Sequence, residues 1–232
     1  MPRLFPPSPH DWEPTADSEG DRFPTKFRSR ASTQGVLVTT GPKPRQVFFE
    51  SLGEFNLLSV ALARRDIVDV REQQLAVYRD AAGVLRKHYF DFVVTFDDGT
   101  RRALAYKPRD RAERVGFIAF LTDLAGRISP EIADEIVPVT EKDLPRSLVQ
   151  NAILVHDCQR DPCDETEEMV MAALAEFAGH VTIADLRDAT SLGGDAFRAV
   201  VRLIGSGDII MKGIARIGGQ TLVRSATRED AR

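Results

Sequence analysis

The feature that most constrains this chain is the stretch from Val84 to Pro108, VLRKHYFDFVVTFDDGTRRALAYKP. Its β-branched and aromatic residues predict a long strand, DDGT predicts a hairpin turn, and RRALAYKP predicts the return strand. Pro108 ends that strand, because proline has no amide hydrogen to give a ladder. A sheet therefore forms the centre of this part of the chain. Upstream, VFFESLGEFNLLSVALARR sets Leu52, Phe55, Leu58 and Leu62 on one stripe and predicts an amphipathic helix from Gln46 to Arg64. IVDV and QLAVYRD then read as two strands, with AAG as the turn before the long one. Downstream, RAERVGFIAFLTDLAGRI returns to helix with Val115, Ile118, Ala119 and Leu121 apolar, and EIVPVTEKDL ends in an acidic turn.

The 232 residues leave room for a medium domain and a small one. Residues 1 to 34 are rich in Pro, Ser, Asp and Arg without hydrophobic period, and predict an extended or disordered arm that Phe5, Trp12, Phe23 and Phe27 could pin to the domain surface. A first domain then spans 35–156. The polar, proline-bearing DCQRDPCDE stretch from Asp157 to Glu165 predicts a linker. Beyond it, over 165–228, come ETEEMVMAALAEFA as a helix with acids on its first turn, VTIADLRDAT capped by Thr182, a third helix through DAFRAVVRLIGSG, and two short strands around a Gly-Gly turn. Three helices and a hairpin in that order predict a winged helix. The fold class expected is α/β (α+β), a mixed sheet flanked by helices with a small C-terminal winged helix.

With 43% hydrophobic and 28% charged residues, the composition is that of a globular protein, and no apolar run is long enough to span a membrane. The N-terminus lacks the continuous apolar core of a secretory signal, so residence in the cytoplasm is expected. Cys158 and Cys163 have no further metal-ligand partners at zinc spacing and read as reduced thiols. The net charge of −4 argues against a wholly basic nucleic-acid binder, but charge is unevenly placed. From Ala196 to Arg228 stand Arg198, Arg202, Lys212, Arg216, Arg224 and Arg228 against the single acid Asp208. Arg198 and Arg202, one turn apart, would face a groove of double-stranded DNA, with Lys212, Arg216 and Arg224 on the wing meeting phosphates.

The residues that carry chemistry are Glu54 on the helix, Asp91 on the long strand and Lys107 on its hairpin partner. The DDGT turn brings Asp91 and Lys107 to the same end of the hairpin. An Asp there can hold Mg²⁺, a helix Glu can complete the site, and a Lys can position the attacking water. A strand Asp, a helix Glu and a Lys before Pro are each also ordinary surface charges, and their joint occurrence is the signal.

The blocks SLGEFNLL, IVDVREQ, HYFDFVVTFDDG and ALAYKP, from about Phe48 to Val139, resemble the N-terminal domain of TnsA-type transposon endonucleases, a branch of the PD-(D/E)xK nuclease-like superfamily. The resemblance implies a restriction-endonuclease-like fold, Mg²⁺-dependent cleavage of DNA, and a transposase or other protein subunit as partner, with a homodimer also open. It implies that Glu54 and Asp91 are metal ligands and that Lys107 is catalytic. Two residues before the hairpin Lys the family carries Gln and the wider superfamily an acid, whereas this chain has Ala105. The Tyr106 backbone carbonyl could then serve as a third metal ligand. The competing expectation is a degenerate nuclease fold that binds DNA or regulates transcription without cutting.

Overall fold

The protein is described by a computed structural model covering residues 15–24, 33–41, 43–227 and 230. Its described residues form a mixed α/β structure with seven helices and a four-stranded mixed sheet. The first elements are an antiparallel pair, β1 (Gly35–Val38) and β2 (Gln46–Phe49), followed by helix α1 (Leu52–Leu62). The helix is shorter than the Gln46 to Arg64 span expected. In QVFF every second side chain, Val47 and Phe49, is buried, which is strand periodicity, and Ser51 then starts the helix by accepting the Glu54 N–H.

The central sheet has the order β3-β4-β5-β6, built from β3 (Ile67–Arg79), β4 (Leu85–Phe96), β5 (Arg101–Tyr106) and β6 (Glu135–Val139). IVDV and QLAVYRD, expected as two strands, are one continuous β3 whose pairing with β4 holds one register from Asp69 to Arg79. The DDGT hairpin forms as expected, with Asp98 Oδ1 accepting the Thr100 N–H and Gly99 at φ 84°. Between β5 and its parallel neighbour β6 the chain crosses through α2 (Arg109–Arg114) and α3 (Phe117–Ala125). The single helix expected there is broken by Gly116, whose φ of 61° suits glycine.

Strands β1 and β6 and one long helix were not anticipated. Helix α4 (Arg146–Gln159) runs into the segment expected as a linker, leaving Arg160 to Cys163 as the connection. Its sequence, RSLVQNAILVHDC, is apolar on more than one side, as a helix buried on two faces should be. Val149, with Ile153 beside it, packs with Leu57, Leu58 and Val70 in the core under the sheet, while Val155 and Cys158 join a second core in the C-terminal lobe. His156 meets the Val38 carbonyl at 2.9 Å, which ties β1 to the same helix.

The C-terminal lobe contains α5 (Asp164–Ala175), β7 (Val181–Thr182), α6 (Ile183–Thr190), α7 (Gly194–Ser206), β8 (Ile209–Met211) and β9 (Leu222–Ser225), with sheet order β7-β9-β8. Thr182 caps α6 by accepting the Asp185 N–H, as its sequence suggested. Asn151 of α4 holds the long β8–β9 loop at two points, donating to the Ala215 carbonyl at 2.9 Å and accepting the Ile217 N–H at 2.8 Å. Of the expected arm, residues 15–24 lie on the sheet: Ala16 bridges Arg45, and Phe23 meets Phe48 edge-on at 5.7 Å. Phe5, Trp12 and Phe27 lie outside the described residues. Among the described residues, no helix is long and apolar enough to cross a membrane.

Helices α4 and α7 touch at Gly205, where an added Cβ would stand 2.6 Å from Val155 and 2.9 Å from Gln159. Alanine favours a helix over glycine by about 1 kcal/mol. Overpacking at a closed contact costs about 1–3 kcal/mol. We therefore expect Gly205→Ala to lower the urea midpoint despite its better helix propensity, and an unchanged or raised midpoint would show that the contact yields freely.

Candidate functional site

The site begins where the β4–β5 ladder ends. Backbone pairing runs from Thr95↔Arg101 to Phe92↔Leu104. One residue further, the Asp91 carboxylate takes over and accepts the Tyr106 N–H at 2.6 Å. On the helix side, Ser51 and Glu54 form a capping box in which Glu54 Oε2 accepts the Glu50 N–H at 2.7 Å and Oε1 accepts the Ser51 hydroxyl at 2.9 Å. Gly53 lets the two parts meet, since a Cβ there would lie 1.9 Å from the Tyr106 ring. The ring sits directly on the first turn of α1, and Glu54 is thereby brought to Asp91.

The electrostatics record that meeting. Burial pushes the Asp91 carboxyl up to about 7, and the Glu54 charge pushes in the same direction. The Tyr106 N–H, Lys107 and Arg22 oppose the rise. Glu54 is raised too, first by burial and further by the Glu50 charge, against its capping hydrogen bonds and Arg22. Two carboxylates that desolvate and repel each other gain from a shared proton or a shared cation.

Lys107 follows Tyr106 directly, its Nζ resting over the Phe117 ring at 4.5 Å. Its charge acts on Asp91 and also on His88, whose pKa is lowered by burial and then by Lys107. The structure thus brings Glu54, Asp91, Tyr106 and Lys107 to one place. Ala105 is buried in an apolar cluster with Phe90, Val93 and Ala103 and contributes no oxygen.

Several residues at the site were not found from sequence. Arg22, from the arm, donates to Glu50 at 2.7 Å and to Gln73 Oε1 at 2.6 Å and lies over the Tyr89 ring. Glu72, fully buried, accepts from Arg45 at 3.2 Å and from the Phe48 N–H, and Ser18 also donates to it. Gln73 sits in the middle of β3 at φ 49°, a left-handed conformation that costs a non-glycine residue on the order of 1–2 kcal/mol. Its strand position falls between the pairs Glu72↔Phe92 and Gln74↔Phe90, so it stands opposite Asp91 at a position the ladder leaves unpaired. The VREQ motif was visible in the sequence; that Glu72 and Gln73 turn inward together is a consequence of that backbone conformation.

For Mg²⁺, the donor chemistry fits. Glu54 and Asp91 are hard carboxylate ligands whose mutual repulsion a cation would relieve. In an antiparallel ladder one residue turns both its N–H and its C=O to the same neighbour, so the Tyr106 carbonyl shares the β4-facing side with the N–H that meets Asp91. No cluster of three or more His, Cys, Asp or Glu side chains is arranged as a metal site among the described residues, so backbone or amide oxygens must complete any coordination.

The basic residues of the C-terminal lobe do not form the exposed face expected. Arg202 is 6% exposed, donates to Glu167, to the Asp161 carbonyl at 3.1 Å and to Thr166 at 3.0 Å, and so clamps the start of α5. Most of α7 is buried, and Arg198, half-buried, lies 3.5 Å from Asp161. Arg224 is held by both oxygens of Asp230 at 2.7 Å, which keeps that carboxyl well below the usual range. Lys212 and Arg216 are exposed on the β8–β9 loop, and Arg228 lies outside the described residues. Comparison with models of known protein families gives no match, and comparison with curated proteins gives none either.

The raised Asp91 pKa has a testable consequence for stability. Because the folded state binds this proton more tightly than the unfolded state, folding loses stability as pH rises from about 4 towards 7, and the full penalty persists above that. Asp91→Asn keeps an oxygen for the Tyr106 N–H and removes the charge. Its Tm should exceed that of the wild type at pH 8 and converge with it near pH 4; a variant less stable than wild type at pH 8 would contradict the electrostatic assignment.

Proposed function

We propose that this chain is a metal-dependent nuclease that cuts phosphodiester bonds in double-stranded DNA and is built on the TnsA-like plan. The observation that carries the proposal is the Glu54–Asp91 pair, Glu54 buried and Asp91 partly so, placed with Lys107 where β4 and β5 part. The order α1, β3, β4, β5, α3, β6 agrees with a restriction-endonuclease-like core, and the order of α5, β7, α6, α7, β8 and β9 agrees with a winged helix.

In this reading Glu54, Asp91 and the Tyr106 carbonyl hold Mg²⁺. When bound, the ion supplies charge neutralisation at the phosphate and helps make water nucleophilic. The chain's own residues do the rest. Asp91 is ionised when it serves as a ligand, and the Tyr106 N–H keeps its carboxylate oriented. Lys107, whose Nζ rests over the Phe117 ring, would place a positive charge beside the reacting phosphate and hydrogen-bond the attacking water. The capping box fixes Glu54 at the first turn of α1, so the ligand does not pay for ordering at the moment of binding. DNA contact in the C-terminal lobe falls to Lys212 and Arg216, with Arg198 beside the α4–α5 connection, because Arg202 and Arg224 serve the fold. We place the protein in the cytoplasm with DNA and a further protein subunit as partners.

A second reading, a degenerate nuclease fold that binds DNA without cutting it, is favoured by one observation: Ala105 offers no ligand at the strand position beside the site. Nicking of supercoiled plasmid in Mg²⁺ or Mn²⁺ separates the two. We expect wild type to nick, with activity falling by at least about 100-fold in Asp91→Asn and Lys107→Ala. DNA binding without nicking by the wild type in either metal would establish the second reading.

A further inference from the structure

We propose that Gln73 is the side-chain oxygen ligand of the divalent site, filling from β3 the place that Ala105 leaves empty on β5; this rests on the metal-dependent reading above. Gln73 is 1% exposed, stands at the unpaired position opposite Asp91 between β3 and β4, and is held in a left-handed conformation at φ 49° while the pairs on either side keep one register. A strand has no need of such a residue for pairing. The strain turns a polar side chain into the interior, where Glu72 beside it is already paired with Arg45.

The amide's surroundings indicate what it is set to hold. Gln73 Nε2 is buried without a hydrogen-bond partner among the described residues, so no donor interaction fixes the amide. Its orientation is set by Oε1, which points at the positive charge of Arg22 at 2.6 Å. The same guanidinium contacts Glu50 at 2.7 Å and lowers the pKa of both Glu54 and Asp91, while its own Nε is buried and unpartnered among the described residues. Gln73 Oε1 and the surrounding carboxylates are therefore oxygen atoms converging on a cation. A hard divalent ion needs several such oxygens, and a neutral amide adds one without worsening the repulsion between Glu54 and Asp91. Arg22 and the ion would compete for that oxygen, and Arg22 withdraws when the ion binds.

The test is Mn²⁺ alone titrated calorimetrically into the full chain, with metal-free melting curves run alongside. Wild type should bind, and Asp91→Asn should not. Gln73→Gly tolerates φ 49° and Gln73→Asn both tolerates it and withdraws the amide by one methylene; each should weaken Mn²⁺ binding by roughly tenfold or more. Gln73→Glu, of the same shape with an anionic oxygen, should tighten it by a similar factor, and both effects should persist in an Arg22→Ala background, where a residue acting only through Arg22 would leave Mn²⁺ affinity unmoved. Binding that is lost in Asp91→Asn but equal to wild type in both Gln73→Gly and Gln73→Glu overturns the assignment of Gln73 and leaves the metal site standing. Wild type that takes up no Mn²⁺, or binding that Asp91→Asn preserves, overturns the metal-dependent reading and this inference with it. Gln73→Glu keeps the test decisive where the smaller residues fail to fold.

Discussion

The hydrogen bond from the Tyr106 N–H to the Asp91 carboxylate is the point on which the site turns. A ladder that simply continued would satisfy Tyr106 with a backbone carbonyl of β4 and leave the Asp91 carboxylate without that donor. Here the side chain replaces the strand, so an acid is drawn into the interior at the point where β4 and β5 separate. Tyr106 then lays its ring on Gly53, which sets the start of α1 against the same spot and delivers Glu54. Each step follows from the one before, and each is unfavourable for a carboxylate without a counter-charge.

That cost is managed by cations brought in from a distance. Arg22 arrives from the arm and Lys107 from the end of β5, while Arg45, just before β2, serves the neighbouring Glu72. Arg45 and Glu72 are nearly or fully buried, and Arg45 also donates to Asp69 at 3.3 Å and to the Val70 carbonyl. A paired and hydrogen-bonded buried ion pair contributes little net stability but is costly to break, so it fixes how the start of β2 and β3 meet rather than how strongly they hold. The C-terminal lobe uses the same device in Arg202 and Glu167. Breaking a fully buried pair costs about 3–5 kcal/mol, and Glu167, which keeps some contact with solvent, lowers the figure here.

Much of the site was legible because it depends on local order. DDGT turns the chain within four residues, which puts Asp91 and Lys107 at one end of a hairpin, whereas the helix start at Ser51 was overrun by a helix expected from Gln46. Arg22, Glu72 and Gln73 were not legible, because their roles come from contacts between the arm and β3 and from one left-handed residue that sequence periodicity does not reveal. Arg198 and Arg202 stand one turn apart on α7, which suggested a shared exposed face. Glu167 and the Thr166 hydroxyl at the start of α5 capture Arg202, and α7 also packs against α4 at Gly205. Helix α4 escaped notice for a related reason: it is apolar on two sides because it serves two cores, and a search for one stripe passes over it.

What joins these observations is a pair of neighbouring carboxylates whose pKa values burial raises, the feature on which the proposed metal site rests. The most direct measurement is the titration of the Asp91 carboxyl carbon by NMR in selectively labelled protein, with and without Mg²⁺. The account predicts a metal-free midpoint near pH 7 and a fall of the midpoint when Mg²⁺ is present. A midpoint near the ordinary aspartate value of about 4, unmoved by Mg²⁺, would contradict it.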